Sequence, residues 1–236
     1  MPVSEAQYLA YLTQVNALSD QTKAAFMALW PRLDHTTMES LKASLVRYMP
    51  ALIDEYGTAM AVLTAEWYDI SRESVIPYTA TTSRGETGKT VSKAVNYAFS
   101  DSFKGDVTGY LAGAAVRGVM DYQRATIIDN VERDPWAKGY ISVSRPNACA
   151  FCQVKSIASY HEFRGRKLQS RIFQNAWHDD CRCTLQPVGE QVPDWCIPRQ
   201  AEEMYQAASE ELRKRGIYDR TPQTVFPVMR EMFNLR

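Results

Sequence analysis

Apolar positions recur at intervals of three and four along much of the chain. Leu41, Leu45, Tyr48, Met49, Leu52, Ile53, Tyr56, Met60, Leu63 and Trp67 form one such stripe, the pattern of a helix that buries one face. On this basis residues 4 to about 74 read as helices. Ser19 and Asp20 are candidate N-caps for SDQTKAAFMALW, and Thr36 with Glu39 has capping-box spacing at the head of TTMESLKASLVRYM. Pro50 interrupts the stripe and predicts a kink or a break, because proline lacks the N–H that a helix interior uses. Residues 76 to 90, IPYTATTSRGETGKT, are polar and carry two glycines and a proline, which predicts a solvated loop.

Helical periodicity returns in VSKAVNYAFSDSF and in DVTGYLAGAAVRGVMDYQRATIIDNVERD. The second holds Gly109, Gly113 and Gly118 on one small-residue face. Each glycine costs about 1 kcal/mol against alanine in a helix interior, so another helix is expected to pack closely there. The spacing resembles that of paired membrane helices, but Arg117, Asp121 and Arg124 exclude a bilayer. Past residue 138 the period shortens. YISVSR reads as a strand, with Tyr140, Ser142 and Ser144 on one side and Ile141 and Val143 on the other. CTLQPV, residues 183 to 188, is a second candidate strand, and from IPRQAEEMYQAASEELRKRG onward the chain reads as helical and charged.

The 236 residues are 45% apolar, enough for a buried core. Lys plus Arg and Asp plus Glu both number 27, so the net charge directs the chain toward neither nucleic acid nor an anionic membrane. The first residues lack a secretory signal pattern, and no apolar run is long enough to span a bilayer. A reducing cytoplasm is therefore expected, where paired cysteines more often hold metal than form disulfides.

Four of the five cysteines and one of three histidines fall in two short boxes, CAFC (149 to 152) and HDDCRC (178 to 183). A C-x2-C turn puts two sulfurs on one side, and a second box can complete a tetrahedron around zinc. Cys149, Cys152 and His178 are the expected ligands, joined by either Cys181 or Cys183; the spacing does not choose between those two. The donors leave no open coordination position with a general base, so the expected zinc is structural. A redox C-x-x-C is disfavoured because that motif usually sits between a strand and a helix of a βαβ unit. A Cys–His nucleophile would leave three cysteines unexplained. Residues 153 to 177 are polar, with HEFRGRKLQSR in the middle, and cannot fold alone; an ion that contributes on the order of 10 kcal/mol is expected to tie the two ends and leave the middle as a presented loop.

Two further features invite a function. SRGETGKT ends like a phosphate-binding loop, but Ser83 stands where a glycine is required and Pro77 breaks the preceding strand. Arg164, Arg166, Lys167 and Arg171 form a basic run that could contact DNA phosphates. His35 and His161 read as surface or capping residues. The expected fold class is mainly α. Residues 1–138 form a helical domain with the loop at 76–90, residues 139–197 a small α+β zinc-clamped module, and residues 198–236 a C-terminal helical tail.

ACAFC followed by WHDDCRCTLQPV resembles the C-terminal box of the Mu F-like minor capsid, or head morphogenesis, proteins of tailed bacteriophages, closest to those of actinobacterial phages. Cys149, Cys152, His178, Cys181, Arg182, Cys183, Thr184 and Pro187 match that box, and YGTAMAVLTAEWYDISRE resembles the helix before it. The resemblance covers roughly residues 40 to 190. Asp179 stands where many relatives have proline, which is expected to loosen the turn. The resemblance implies a non-enzymatic virion component inside the head, made in the host cytoplasm. It also implies portal or major capsid protein as partners, an association with packaged DNA or ejection with it, and neither a membrane nor a small-molecule substrate. The alternative is a zinc-stabilised nucleic-acid-binding module.

Overall fold

The computed structural model describes residues 3–72, 74, 76–145, 147–164 and 178–235. The fold is mainly α, as the periodicity predicts. In chain order its elements are α1 (Glu5–Leu29), α2 (Met38–Ser71), α3 (Thr87–Ala98), α4 (Val107–Arg133), β1 (Gly139–Val143), α5 (Ala150–Phe163), β2 (Thr184–Val188), α6 (Arg199–Lys214) and α7 (Pro222–Phe233). Short 3-10 turns lie at Trp30–Arg32 and Asp194–Cys196.

The first helix is one long element. Ser4 caps it in a reciprocal capping box with Gln7, and Ser19 lies buried inside it, its hydroxyl donating to the Val15 carbonyl at 2.8 Å. The expected start at Ser19 and Asp20 is thereby corrected. At α2 the cap is Thr37, whose Oγ1 accepts from Ser40 N at 3.0 Å. The cap is thus one residue later than the expected Thr36, whose N–H donates to Asp34 Oδ1 at 2.9 Å in the turn before the helix.

Helix α2 continues through Pro50 without a break. An interior proline costs about 3 kcal/mol. Leu45, Met49 and Ile53 are fully buried around it, and each buried apolar side chain contributes about 1.5–3 kcal/mol, so packing wins. Helices α1, α2 and α4 build the main core, with Val15, Phe26, Leu45, Met60, Val116 and Met120 at its centre. Gly118 of α4 meets Ile53 of α2, the close helix contact expected from the small-residue face. Gly113 instead receives a turn of chain near residue 180.

Residues 76 to 86 are not a freely solvated loop. They are fastened along α4 and α2 by side chains that act as backbone partners. Asn130 accepts from Thr81 N at 2.9 Å and donates to Thr81 O at 2.7 Å. Asp69 holds Ala80 N, and Thr126 holds Ser83 N. Helix α3 begins at Thr87, and among the described residues no strand leads into it from α2, so Gly88, Lys89 and Thr90 lack the strand-to-helix setting of a phosphate-binding loop.

The two strands pair antiparallel, with Ile141 opposite Gln186. A two-stranded ribbon is marginal alone, and this one is keyed into the helices. Gln123 of α4 uses its amide as a neighbouring strand would: Oε1 accepts from Leu185 N at 3.2 Å, and Nε2 donates to Leu185 O at 3.0 Å. Trp67 Nε1 donates to Gln186 Oε1 at 2.8 Å, and the Tyr8 hydroxyl pairs with Thr184 Oγ1 at 3.1 Å. On the other edge Ser142 N donates to Ser159 Oγ of α5 at 2.8 Å. Among the described residues, no helix is long and apolar enough to cross a membrane.

At Gly57 an added Cβ would lie 2.5 Å from the ring of Tyr122, which is buried and bonded through its hydroxyl to Asp54. Gly57→Ala should therefore lower the urea-unfolding free energy by about 1–3 kcal/mol. Nothing lies within 4 Å of a Cβ at Gly88, so Gly88→Ala should leave stability unchanged or raise it by up to about 1 kcal/mol.

Candidate metal centre

The first box is built where β1 hands over to α5. After Val143 the chain turns tightly: Ala148 N donates to Arg145 O at 3.1 Å, and Asn147 takes a left-handed φ of 58°. Cys149 is the N-cap of α5, and its side chain makes no capping bond. Cys152 follows three residues later on the same helix face. The motif thus opens a helix that runs to Phe163, so His161, Glu162 and Phe163 of the expected loop are helical, Arg164 is the C-cap, and the rest of that loop lies outside the described residues. Helix α5 buries Gln153, Lys155, Ser156, Ile157 and Ala158, and Ala150 joins an apolar cluster with Met204, Ala208, Leu212, Val225 and Met229 of α6 and α7. The motif does lie between a strand and a helix, but β1 and β2 are antiparallel and form no βαβ unit.

The second box is a tight turn. Cys181 N donates to His178 O at 3.2 Å, and Asp180 takes a left-handed φ of 56°, which aspartate tolerates. The turn is fixed to the helical core from several sides. Asp180 N donates to Gly113 O at 3.0 Å, an approach that the missing Cβ permits. Arg117 reaches Asp179 at 3.1 Å, Arg182 reaches Asp20 at 2.7 Å, and Arg124 donates to Cys181 O at 3.2 Å. Asp179 therefore anchors the turn rather than loosening it.

All five expected donors come together. Cys149 Sγ lies 3.0 Å from His178 Nε2, Cys152 Sγ 3.2 Å from the same nitrogen, and Cys152 Sγ 3.5 Å from Cys181 Sγ. They form two triads that share Cys152: Cys149, Cys152 and His178 toward the surface, and Cys152, Cys181 and Cys183 buried behind. Within each triad the donor atoms lie within 4.8 Å of one another. A tetrahedral ion with metal–sulfur bonds of about 2.3 Å keeps its ligands roughly 3.5–3.8 Å apart, so the donor set fits an ion of that size. His178 Nδ1 donates to the Asp179 carbonyl at 2.7 Å, which turns Nε2 toward the thiols as the nitrogen left for a metal.

The charges in the cluster interlock. A hydrogen bond from Cys152, and then one from His178, pulls the Cys149 thiol down to about 4. Hydrogen bonds with Cys149 and Cys181, partly opposed by burial, push His178 up to about 10. Cys181 is likewise held low by Cys152 and Cys183, while Cys152 is held high by hydrogen bonding to Cys149. Shared protons thus balance thiolates in a space where a cation would do the same, and binding one would release those protons. Burial, and then the charge of Arg124, pull Lys155 down to about 8, against the attraction of the cysteine cluster.

Of the basic run, Arg164 is exposed at the C-cap of α5, and Arg166, Lys167 and Arg171 lie outside the described residues. His35 Nε2 donates to the Trp30 carbonyl at 2.8 Å, and His161 lies 2.8 Å from Glu202. Neither joins the cluster. The supports that no local pattern marked are Gly113, Arg117 and Arg124, whose spacing on one helix face was the only available signal.

A family model described as VG15 protein matches residues 2–208. The chain belongs to the VG15 family. That membership supports a phage protein. No curated protein and no solved structure matches the chain. The VG15 match takes in both cysteine boxes and all five donors, while α7 lies beyond it.

Because Cys152 belongs to both triads, Cys152→Ser should weaken metal binding more than Cys149→Ser or Cys183→Ser. A chelator-competition titration should show its loss exceeding the roughly 10–100-fold typical of changes around the ligands.

Proposed function

We propose that the chain is a non-enzymatic minor capsid protein of a tailed phage, of the Mu F-like kind, stabilised by one structural zinc ion. VG15 membership supports the phage setting. The observation that carries the finer reading is the convergence of Cys149, Cys152, His178, Cys181 and Cys183, because these residues carry the Mu F-like box. Thiolate and imidazole donors suit zinc, which needs no open coordination position in a structural role. The ion would tie α5 to the turn before β2, and so tie the C-terminal helices to the α1–α2–α4 core. In this reading the protein resides inside the head near the portal, acts in head assembly and contacts portal or major capsid protein. It meets the packaged DNA there, and can leave with it.

Freshly purified protein should contain about one zinc per chain by elemental mass spectrometry, and a strong chelator should lower its melting temperature by about ten degrees or more, given the folding energy such sites supply. Co-expressed portal protein should co-purify with it, and the chain should be found in assembled particles by mass spectrometry. Metal-free protein with unchanged melting would remove the zinc; absence from particles would remove the capsid role.

A further inference from the structure

Cys149, Cys152, His178, Cys181 and Cys183 form part of the wall of a cleft of about 490 Å³ that extends beyond them. Three arginines from separate elements line it: Arg145 before α5, Arg182 before β2 and Arg230 on α7. Phe151 and Phe226 form an aromatic wall, their rings edge to face at 6.1 Å. The volume is in the range of about 300–1,000 Å³ usual for small-ligand sites.

The charges around the cleft are unequally satisfied. Asp179 and Asp180 also line it, but each carboxylate already faces a cation: Arg117 at 3.1 Å for Asp179, and Arg182 at 3.2 Å and Lys23 at 3.8 Å for Asp180. Arg182 is itself taken up by Asp20 and Asp180. The cysteine and histidine side chains in the wall are the donors assigned to the metal, and a cation held there would offset most of their charge. Arg145 and Arg230 are the remaining charges, and among the described residues neither has an ion-pair partner. Two unpaired guanidinium groups beside two aromatic edges match an anionic group attached to a flat ring. Guanidinium forks bind phosphate oxygens in pairs, and aromatic side chains accept bases of any sequence.

We propose that this cleft binds a nucleotide unit, with its phosphate on Arg145 and Arg230 and its base against Phe151 and Phe226. The unit belongs either to a single strand of nucleic acid or to a free nucleotide. This goes beyond the capsid reading and does not depend on portal binding. It also moves nucleic-acid contact away from the basic run at 164 to 171 and onto residues that meet only in the folded chain.

The test uses the full-length, metal-loaded protein and a fluorescent ten-residue oligothymidine, read by anisotropy, with thymidine 5′-monophosphate as competitor. The double variant Arg145→Ser/Arg230→Ser should keep its metal and its melting temperature, and should bind the strand at least about tenfold more weakly. Its log–log salt slope should fall by roughly 0.7, because the two arginines share one phosphate and each single-strand phosphate that a protein neutralises contributes about 0.7. Competition by the monophosphate at a concentration comparable to that of the strand would assign the site to free nucleotides; weak competition would assign it to strands. An abasic oligonucleotide should bind more weakly than oligothymidine, and equal binding would refute the role of the aromatic wall. Absence of binding, or binding unchanged in the double variant and abolished on changing Arg164, Arg166, Lys167 and Arg171 to Ser, would overturn the proposal. So would equal binding of an acidic peptide of the same charge.

Discussion

A strand buried on one side against helices has backbone groups that no helix backbone can satisfy. Gln123 solves this for β2 by presenting a carbonyl and an amide to Leu185 in the geometry of a missing strand. Without it, one buried donor and one buried acceptor would be orphaned, at about 1–3 kcal/mol each. Leu185 lies two residues after Cys183, and Gln123 is followed directly by Arg124, which holds the Cys181 carbonyl. The position of the second cysteine box is therefore set by α4 rather than by the box itself. The same helix supplies Gly113 and Arg117 to the turn, so a single element carries register, approach and charge for half of the metal centre.

The two boxes are supported from different directions. The first lies at the start of α5, whose outer face packs on α6 and α7. The second is fixed to α1 and α4 through Asp20, Lys23, Gly113, Arg117 and Arg124. The sulfurs and the imidazole meet where these two bodies of packing adjoin. An ion there would join supports that otherwise communicate through β1 and β2, and little rearrangement would be needed to receive it, because the His178 ring is already turned by the Asp179 carbonyl.

Much of this was legible in the chain. The helices announced themselves because each buries a face, and the strands because they alternate. The donors were legible because cysteine is rare and spacing limits what a turn can bring together. What escaped has a common physical cause. Ser19 has the chemistry of a cap, but α1 had already started at Ser4, and a hydroxyl inside a helix satisfies itself on the preceding turn. Pro50 was overridden by the buried side chains around it, a tertiary effect that no local rule contains. Asp179 reads locally as a weakened turn, and its anchor, Arg117, comes from α4, more than sixty residues earlier. Arg145 and Arg230 are far apart in the chain, and only α7 packing against α5 makes them neighbours of one cleft.

The stretch from 76 to 86 has no regular structure, yet Asp69, Asn130 and Thr126 hold its backbone at Ala80, Thr81 and Ser83. Backbone groups held in this way open only as far as the helices beneath them allow. A polar segment of this composition would ordinarily be among the first places a protease cuts, and here limited digestion should find it closed.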